Sequence, residues 1–432
     1  MTRKPLSFSN SEQYLDRSLK TIPLGSQTFS KSKLCYPYKV SPLFLESGVG
    51  ATVVDPDGNE YLDFVNGLLC VLLGYGDTDV LDAVTAQLHK GVTLSLPHKL
   101  EFEVAELLTE LVPCAEMVRF GKNGSDATSA AIRLARAFTK RERVAVCGYH
   151  GWQDWYIGST TRDLGVPEST KALTHTFKYN DISSLEVLLK QHTNQFAAVI
   201  MEPMNVDYPA PDYLNQVKQL CQQHGTLLVF DETITGFRFD IGGAQRLFDV
   251  KPDLATFGKG MANGFPISAV VGRRDVMMLM EDIFYSGTFG GELLSLAAAK
   301  ATMTKLKQQN VLSHIHQMGE KLIAGLNQII TKHDAQDLFS VSGHPSWSFL
   351  LMGTPTKVTS QQLSSLMQQE MHQRGLLCGS AHNLSFAHQA EHIERLLQAY
   401  DEIIPLALDV SQNGGFEAVF RGVETQPVFK VR

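Results

Sequence analysis

The chain has 432 residues, 44% of them hydrophobic and 19% charged, with a formal net charge of −7. This is the composition of a globular protein with a large core, long enough for two or three lobes. No basic block stands out, so neither nucleic acid nor an anionic membrane surface is expected as a partner. The six cysteines, at 35, 70, 114, 147, 221 and 378, form no CxxC. They read as reduced thiols rather than a disulfide framework or zinc site, and no metal is expected. Arg3 and Lys4 are followed by polar residues instead of an apolar segment. Nowhere do about 18 apolar residues run together. The expected location is cytoplasmic, with no membrane association.

In chain order, residues 1–40 read as a polar, irregular arm. Gly50 to Asp63 reads as two short strands around a Pro56-Asp57-Gly58 turn, because aspartate and glycine tolerate tight-turn dihedrals. Glu101 to Leu111 has helical spacing of Val104, Leu107, Leu108 and Leu111. Apolar runs then alternate with helical patterns. The predicted strands are Met117–Phe120, Val144–Cys147, Ala197–Met201, Leu227–Phe230, Leu254–Phe257 and Ala269–Gly272. The predicted helices are Asp126–Lys140, Ile182–Gln191, Tyr213–His224 and Leu293–Gln308. This alternation predicts an α/β sheet covered on both faces, with ligands gathering at the strands' carboxyl ends. Beyond about 311, a long helical pattern followed by strands and another helix suggests a smaller α+β lobe.

Chemistry-bearing residues fall at those strand ends, each with two readings. Gly124-Ser125-Asp126 opens a helix with a small inner face; it is a phosphate cradle or a plain serine cap. Tyr149-His150-Gly151 ends a strand, where an aromatic can stack on a flat ring or simply fill the fold. Asp231 closes the apolar run 226–230, and burying it demands a partner. That partner is a protonated ring nitrogen, a helix terminus or Arg238. Lys259 stands between Gly258 and Gly260: a poorly solvated nucleophilic amine, or a turn lysine in water. Ser286-Gly287-Thr288-Phe289-Gly290-Gly291 is a second anion cradle or a flexible loop. Neither a P-loop nor a dinucleotide fingerprint occurs. Taken together, an acid ending a buried strand and, 28 residues on, a lysine between glycines are the pair a pyridoxal 5'-phosphate site requires. The lysine forms a Schiff base and the acid keeps the pyridine nitrogen protonated.

In order and spacing, Asp55-Pro56-Asp57-Gly58, Gly124-Ser125-Asp126-Ala127, Gly148-Tyr149-His150-Gly151, Glu202-Pro203, Asp231-Glu232, Thr235-Gly236-Phe237-Arg238 and Gly258-Lys259 resemble the class III, fold-type-I pyridoxal phosphate-dependent aminotransferases, in particular their glutamate-1-semialdehyde 2,1-aminomutase group. The likeness is good over roughly 20 to 300 and weak beyond.

The resemblance implies a large domain (76–309) with a mostly parallel seven-stranded sheet. A small α+β domain (41–75 and 310–432) and the N-terminal arm (1–40) complete it. Lys259 would carry the cofactor and shuttle protons; Asp231 would pair with the ring nitrogen and Tyr149 stack on the ring. Gly124 and Ser125 would bind phosphate, with Thr288 reaching it from the neighbouring subunit of a homodimer with shared active sites. Thr233 stands where the family has an aliphatic residue over the ring, and Lys31 where the aminomutases have a carboxylate-binding arginine. The stretch Cys378–Ser385 lacks their gating glutamate. Glu202, His150 and Trp152 are further ring or substrate contacts. The expected reaction moves an amino group from a donor such as glutamate to a small aldehyde, ketone or sugar-like carbonyl. The alternatives are intramolecular amino transfer, racemisation or epimerisation, and a non-catalytic cofactor-binding scaffold.

Overall fold

The computed structural model describes residues 6–427; Arg3 and Lys4 lie outside the described residues. The chain divides into two compact units, one of residues 69–72 and 77–312, the other of 6–68, 73–76 and 313–427.

The larger unit is built on seven strands: β1 (Met117–Gly121), β2 (Arg143–Cys147), β3 (Thr174–Thr176), β4 (Phe196–Met201), β5 (Leu227–Asp231), β6 (Leu254–Phe257) and β7 (Ser268–Gly272). Their order across the sheet is β1-β7-β6-β5-β4-β2-β3. β7 runs antiparallel to both neighbours; the other pairs are parallel. Every residue of β4, β5, β6 and β7 is buried. That is why these strands read as unbroken apolar runs rather than alternating ones. β3, three half-buried residues long, is the seventh strand and has no sequence pattern of its own. Helix α1 (Gly124–Thr139) lies across β4, β5, β6 and β7. Its alanines at 127, 130, 131 and 135 are fully or almost fully buried, so the helix approaches the sheet closely. Helices α2 (Ile182–Gln191) and α3 (Tyr213–Gln223) pack on each other. Helix α4 (Leu293–Gln308) packs on helices Thr78–Leu88 and Lys99–Leu111.

The smaller unit holds two sheets. One joins Ser47–Val49, Thr52–Val54, Glu60–Asp63 and Leu376–Leu377; the other joins Phe339–His344, Trp347–Met352 and Ala381–Asn383. Helices Ser360–Gln373 and Ala390–Asn413 pack together beside them. The region 1–40, expected to be irregular, contains a helix, Ser9–Ser18. Its cap comes from a distance. The Asp57 carboxylate accepts the Ser9 hydroxyl (3.0 Å) and the Asn10 and Ser11 N–H groups (2.9 and 3.1 Å). An anion at a helix N-terminus satisfies donors that otherwise lack partners. All six cysteines are free. Among the described residues, no helix is long and apolar enough to cross a membrane.

Candidate active site

Register decides what meets at the carboxyl edge of the large sheet. Cys147 pairs with Met201, and Met201 with Phe230, so β2, β4 and β5 end level. Asp231 pairs with Thr256 near the end of β6. The residues that follow emerge side by side: Gly148 to His150 after β2, Glu202 after β4, Asp231 ending β5, and Lys259 just past β6. β1 delivers Asn123 and α1 to the same edge. A cavity of about 500 Å³ opens there, lined by Gly124, Ser125, Tyr149, His150, Trp152, Glu202, Asp231, Thr233 and Lys259. Nine of the expected site residues thus share one space. Thr288 does not line it and is exposed on its loop; Lys31 belongs to the other unit, exposed at the end of a 3₁₀ turn.

Asp231 is 4% exposed and fully engaged. Its Oδ1 accepts Thr233 N–H (3.1 Å), the Thr233 hydroxyl (2.6 Å) and the Thr256 hydroxyl (3.1 Å). Its Oδ2 faces His150 Nδ1 at 2.8 Å. The other imidazole nitrogen, Nε2, lies 3.1 Å from the Cys147 carbonyl. Both partners are acceptors, and the contact to the carboxylate is the shorter of the two. Burial pushes the Asp231 carboxyl up, but hydrogen bonds and charge from His150, with Thr233, outweigh it and hold it below its ordinary value. Oδ2, with one donor, keeps a lone-pair direction for a ligand. Arg238 is not the aspartate's ion-pair partner; it is fully buried and donates to the Leu69 carbonyl at 3.0 Å.

Lys259 begins a 3₁₀ turn at φ +39°, a left-handed conformation that costs a non-glycine residue energy and is enriched at functional sites. Burial lowers its amine pKa; the acids Glu202 and Asp231 oppose this. Among the described residues it forms no salt bridge. It lines the cavity together with Glu202 and Asp231.

At α1, the cap is Asn123, not Ser125. Asn123 accepts Asp126 N–H (3.2 Å), and Asp126 accepts Lys122 and Asn123 N–H (2.9 and 3.0 Å). This leaves the Gly124 and Ser125 N–H groups outside the capping box, at the positive end of a 16-residue helix. A Cβ on Gly124 would come within 3.1 Å of the Thr233 methyl, so glycine keeps the cradle open. Tyr149 is 47% exposed on the cavity wall, braced edge-on by Tyr156 at 5.6 Å.

Sequence reasoning placed His150 here but missed its bond to Asp231; its position at the end of the strand two places from β5 was the available signal. It also missed Cys70 and Lys122, which line the cavity. Lys122 Nζ reaches Glu292 (2.9 Å) and the Pro266 carbonyl (3.1 Å). Glu292 in turn caps α4 by accepting Leu294 and Ser295 N–H (2.7 and 3.2 Å). That helix terminus, unlike that of α1, is already occupied by the chain's own anion.

The residues present fit pyridoxal phosphate. An amine is available for its aldehyde, an acid with a spare acceptor site for its ring nitrogen, first-turn N–H groups for its phosphate and an aromatic face for its ring. All open on one cavity.

Residues 36–403 match the family of class III aminotransferases ("Aminotransferase class-III"). The chain is 34% identical over 413 residues to a glutamate-1-semialdehyde 2,1-aminomutase of Haloarcula marismortui, covering 90% of this chain and 91% of that relative. It is 39% identical over 297 residues to a 3-aminobutyryl-CoA aminotransferase of Cloacimonas acidaminovorans, covering 67% and 71%. Among solved structures, the FumI protein of Sphingopyxis sp. MTA144, in its PLP internal aldimine form, superposes with a TM-score of 0.85 at 26% identity, over 93% of this chain and 97% of that one. The match across most of its length makes this chain a member of the class III aminotransferases, a family of pyridoxal phosphate-dependent enzymes.

Proposed function

We propose that the chain transfers an amino group from a donor, with glutamate the first candidate, to a small aldehyde, ketone or sugar-like carbonyl, using Lys259 and Asp231 as its working groups. The observation that carries this reading is that both open onto one cavity beside the free end of α1. Bound there, pyridoxal phosphate supplies an electron sink for charge developing at the substrate carbon. The chain's residues do the rest. Asp231, whose carboxyl His150 and Thr233 hold below its ordinary value, would keep a proton on the ring nitrogen. Gly124 and Ser125 would hold the phosphate dianion, and Tyr149 and Thr233, which line the same cavity, would contact the ring. Lys259, whose charge burial disfavours, would be the base that takes the proton from the substrate carbon and the acid that gives it back.

Among the described residues no arginine lines the cavity, and Lys122 is engaged with Glu292. This supports an acceptor whose recognition does not require a second carboxylate clamp. Intramolecular amino transfer is the second reading, supported by the similarity to the Haloarcula aminomutase; it needs no separate acceptor.

The active form in this reading is a cytoplasmic homodimer with shared sites, Thr288 of each copy reaching the other's phosphate. In its support, Leu96 (80%), Phe284 (81%) and Phe289 (58%) are exposed on the segments beside Thr288 and Val92, which the Leu293 N–H to Val92 carbonyl bond joins. Where such side chains form one contiguous patch, they mark a surface that a partner covers. The division into arm (1–40), small domain (41–75 and 310–432) and large domain (76–309) belongs to the same reading.

The test is to incubate the pyridoxal phosphate-loaded protein with single amino donors and assay each for the matching oxo acid. At least one donor yields stoichiometric oxo product and amine-charged enzyme. If every donor leaves the enzyme unchanged, while a single diamino or amino-aldehyde compound is isomerised, the aminomutase reading replaces it.

A further inference from the structure

Glu202 is the carboxylate in the cavity that the proposed reaction does not use. It is 7% exposed at the end of β4. Its Oε2 accepts Tyr149 N–H at 3.1 Å and the Asn205 amide at 2.8 Å. The chain opposite is shaped around it. Gly148 has φ +104°, and a Cβ there would come within 2.4 Å of Glu202 Oε2; the residue must be glycine for the carboxylate to fit. Gly148 is held from its other side by the Tyr156 hydroxyl, which donates to its carbonyl at 2.7 Å. The Glu202 carboxylate thus fixes the backbone that carries the Tyr149 ring.

Two neutral N–H donors on one oxygen do not balance a buried charge, which costs several kcal/mol unless a cation stands near. Of the two acids in the cavity, Asp231 is matched by His150 at 2.8 Å. Glu202 makes no salt bridge within 4 Å among the described residues; of the two lysines that line the cavity with it, Lys122 is bound to Glu292 at 2.9 Å, whereas Lys259 forms no salt bridge. The other groups facing Lys259 are Asp231, Arg238 and the Cys70 thiol; those facing Glu202 are Asp231 and His150.

We propose that Glu202 is a positioning residue with two linked tasks: it is the counter-charge of Lys259, and through the Tyr149 N–H it fixes the aromatic wall of the site. This rests on the reading of Lys259 as the cofactor-bearing residue. Burial pushes the Lys259 amine down and Glu202, ahead of Asp231, pushes it back up; burial and the charge of Asp231 push the Glu202 carboxyl up, while His150 and the Tyr149 and Asn205 donors pull it down.

The experiment is a pH titration of the visible absorbance of the pyridoxal phosphate-loaded enzyme, wild type against Glu202→Gln and Glu202→Asp. Glutamine keeps an acceptor for Tyr149 and Asn205 but removes the charge. Its midpoint falls by about one pH unit, the size of a nearby single charge at intermediate dielectric. Aspartate keeps the charge one methylene farther back and shifts the midpoint the same way by less. A midpoint unchanged in the glutamine variant overturns the counter-charge role; should that variant not fold, an unchanged midpoint in the aspartate variant does so. The underlying reading fails separately and visibly: Lys259→Ala that retains the titrating band removes Lys259 from the cofactor whatever Glu202 does.

Discussion

Asp231 and Glu232 are neighbours at the end of one strand, both acids and both buried, yet they serve different masters. Successive side chains of an extended chain point to opposite faces. Asp231 turns into the cavity and keeps an acceptor site open. Glu232 turns into the protein and is consumed there. Its Oε2 takes the Thr235 hydroxyl and, at 2.7 Å, Ala244 N–H. Its Oε1 takes Gln245 N–H at 2.9 Å and the Gln245 amide at 3.3 Å. Gly243 is at φ +82°, where a Cβ would lie 2.7 Å from that carboxylate. A pair of acids at a strand end is therefore one acid for a ligand and one that staples the following 13 residues into place. Burial alone does not separate them; what separates them is whether any acceptor capacity is left over.

Breaking the two halves of this pair gives opposite signatures. Asp231→Ala lowers kcat by about 10³-fold, the order of losing an electrostatic group that acts in the transition state, in steady-state assays. Glu232→Ala costs about 3 kcal/mol of stability, since it orphans buried N–H groups, as measured by urea unfolding; kcat per folded molecule stays within a few-fold. His150→Phe acts on the first half alone. Because the Asp231 carboxyl is depressed in the folded chain, its contribution is present above the ordinary carboxylate range and is lost only as pH falls through the folded value. Removing the imidazole moves that acid limb upward, read from the retention of cofactor as pH is lowered through the carboxylate range. Thr233→Val removes a single donor from Oδ1 and costs about 1 kcal/mol. It shifts the same limb in the same direction by less than the His150 variant does.

The parts legible in the sequence were those where local chemistry conflicts with local burial. Asp231 and Lys259 stood out because a charge at the end of an apolar run needs a reason to be there. The central strands were legible because sheet burial on both faces leaves continuous apolar runs. What was not legible depends on partners distant in the chain. Helix Ser9–Ser18 owes its start to Asp57, and Glu232 owes its role to Ala244 and Gln245. His150 was seen as a cavity residue, but its hydrogen bond to Asp231 spans 81 residues and follows only from the strand order. The glycine-rich segment before α4 looked as ready for an anion as the one before α1. Their difference lies in one residue: Glu292 fills the α4 terminus, whereas Asn123 and Asp126 cap each other and leave Gly124 and Ser125 open.

The most direct test of the central claim, that Lys259 and Asp231 converge on one bound ring, is the absorbance spectrum of the wild-type chain and Lys259→Ala, each loaded with pyridoxal phosphate and then mixed with an amino donor. The wild type shows a visible band that the donor bleaches, and the alanine variant, lacking an amine, shows only the spectrum of the free aldehyde. A visible band of equal strength in the alanine variant contradicts the account.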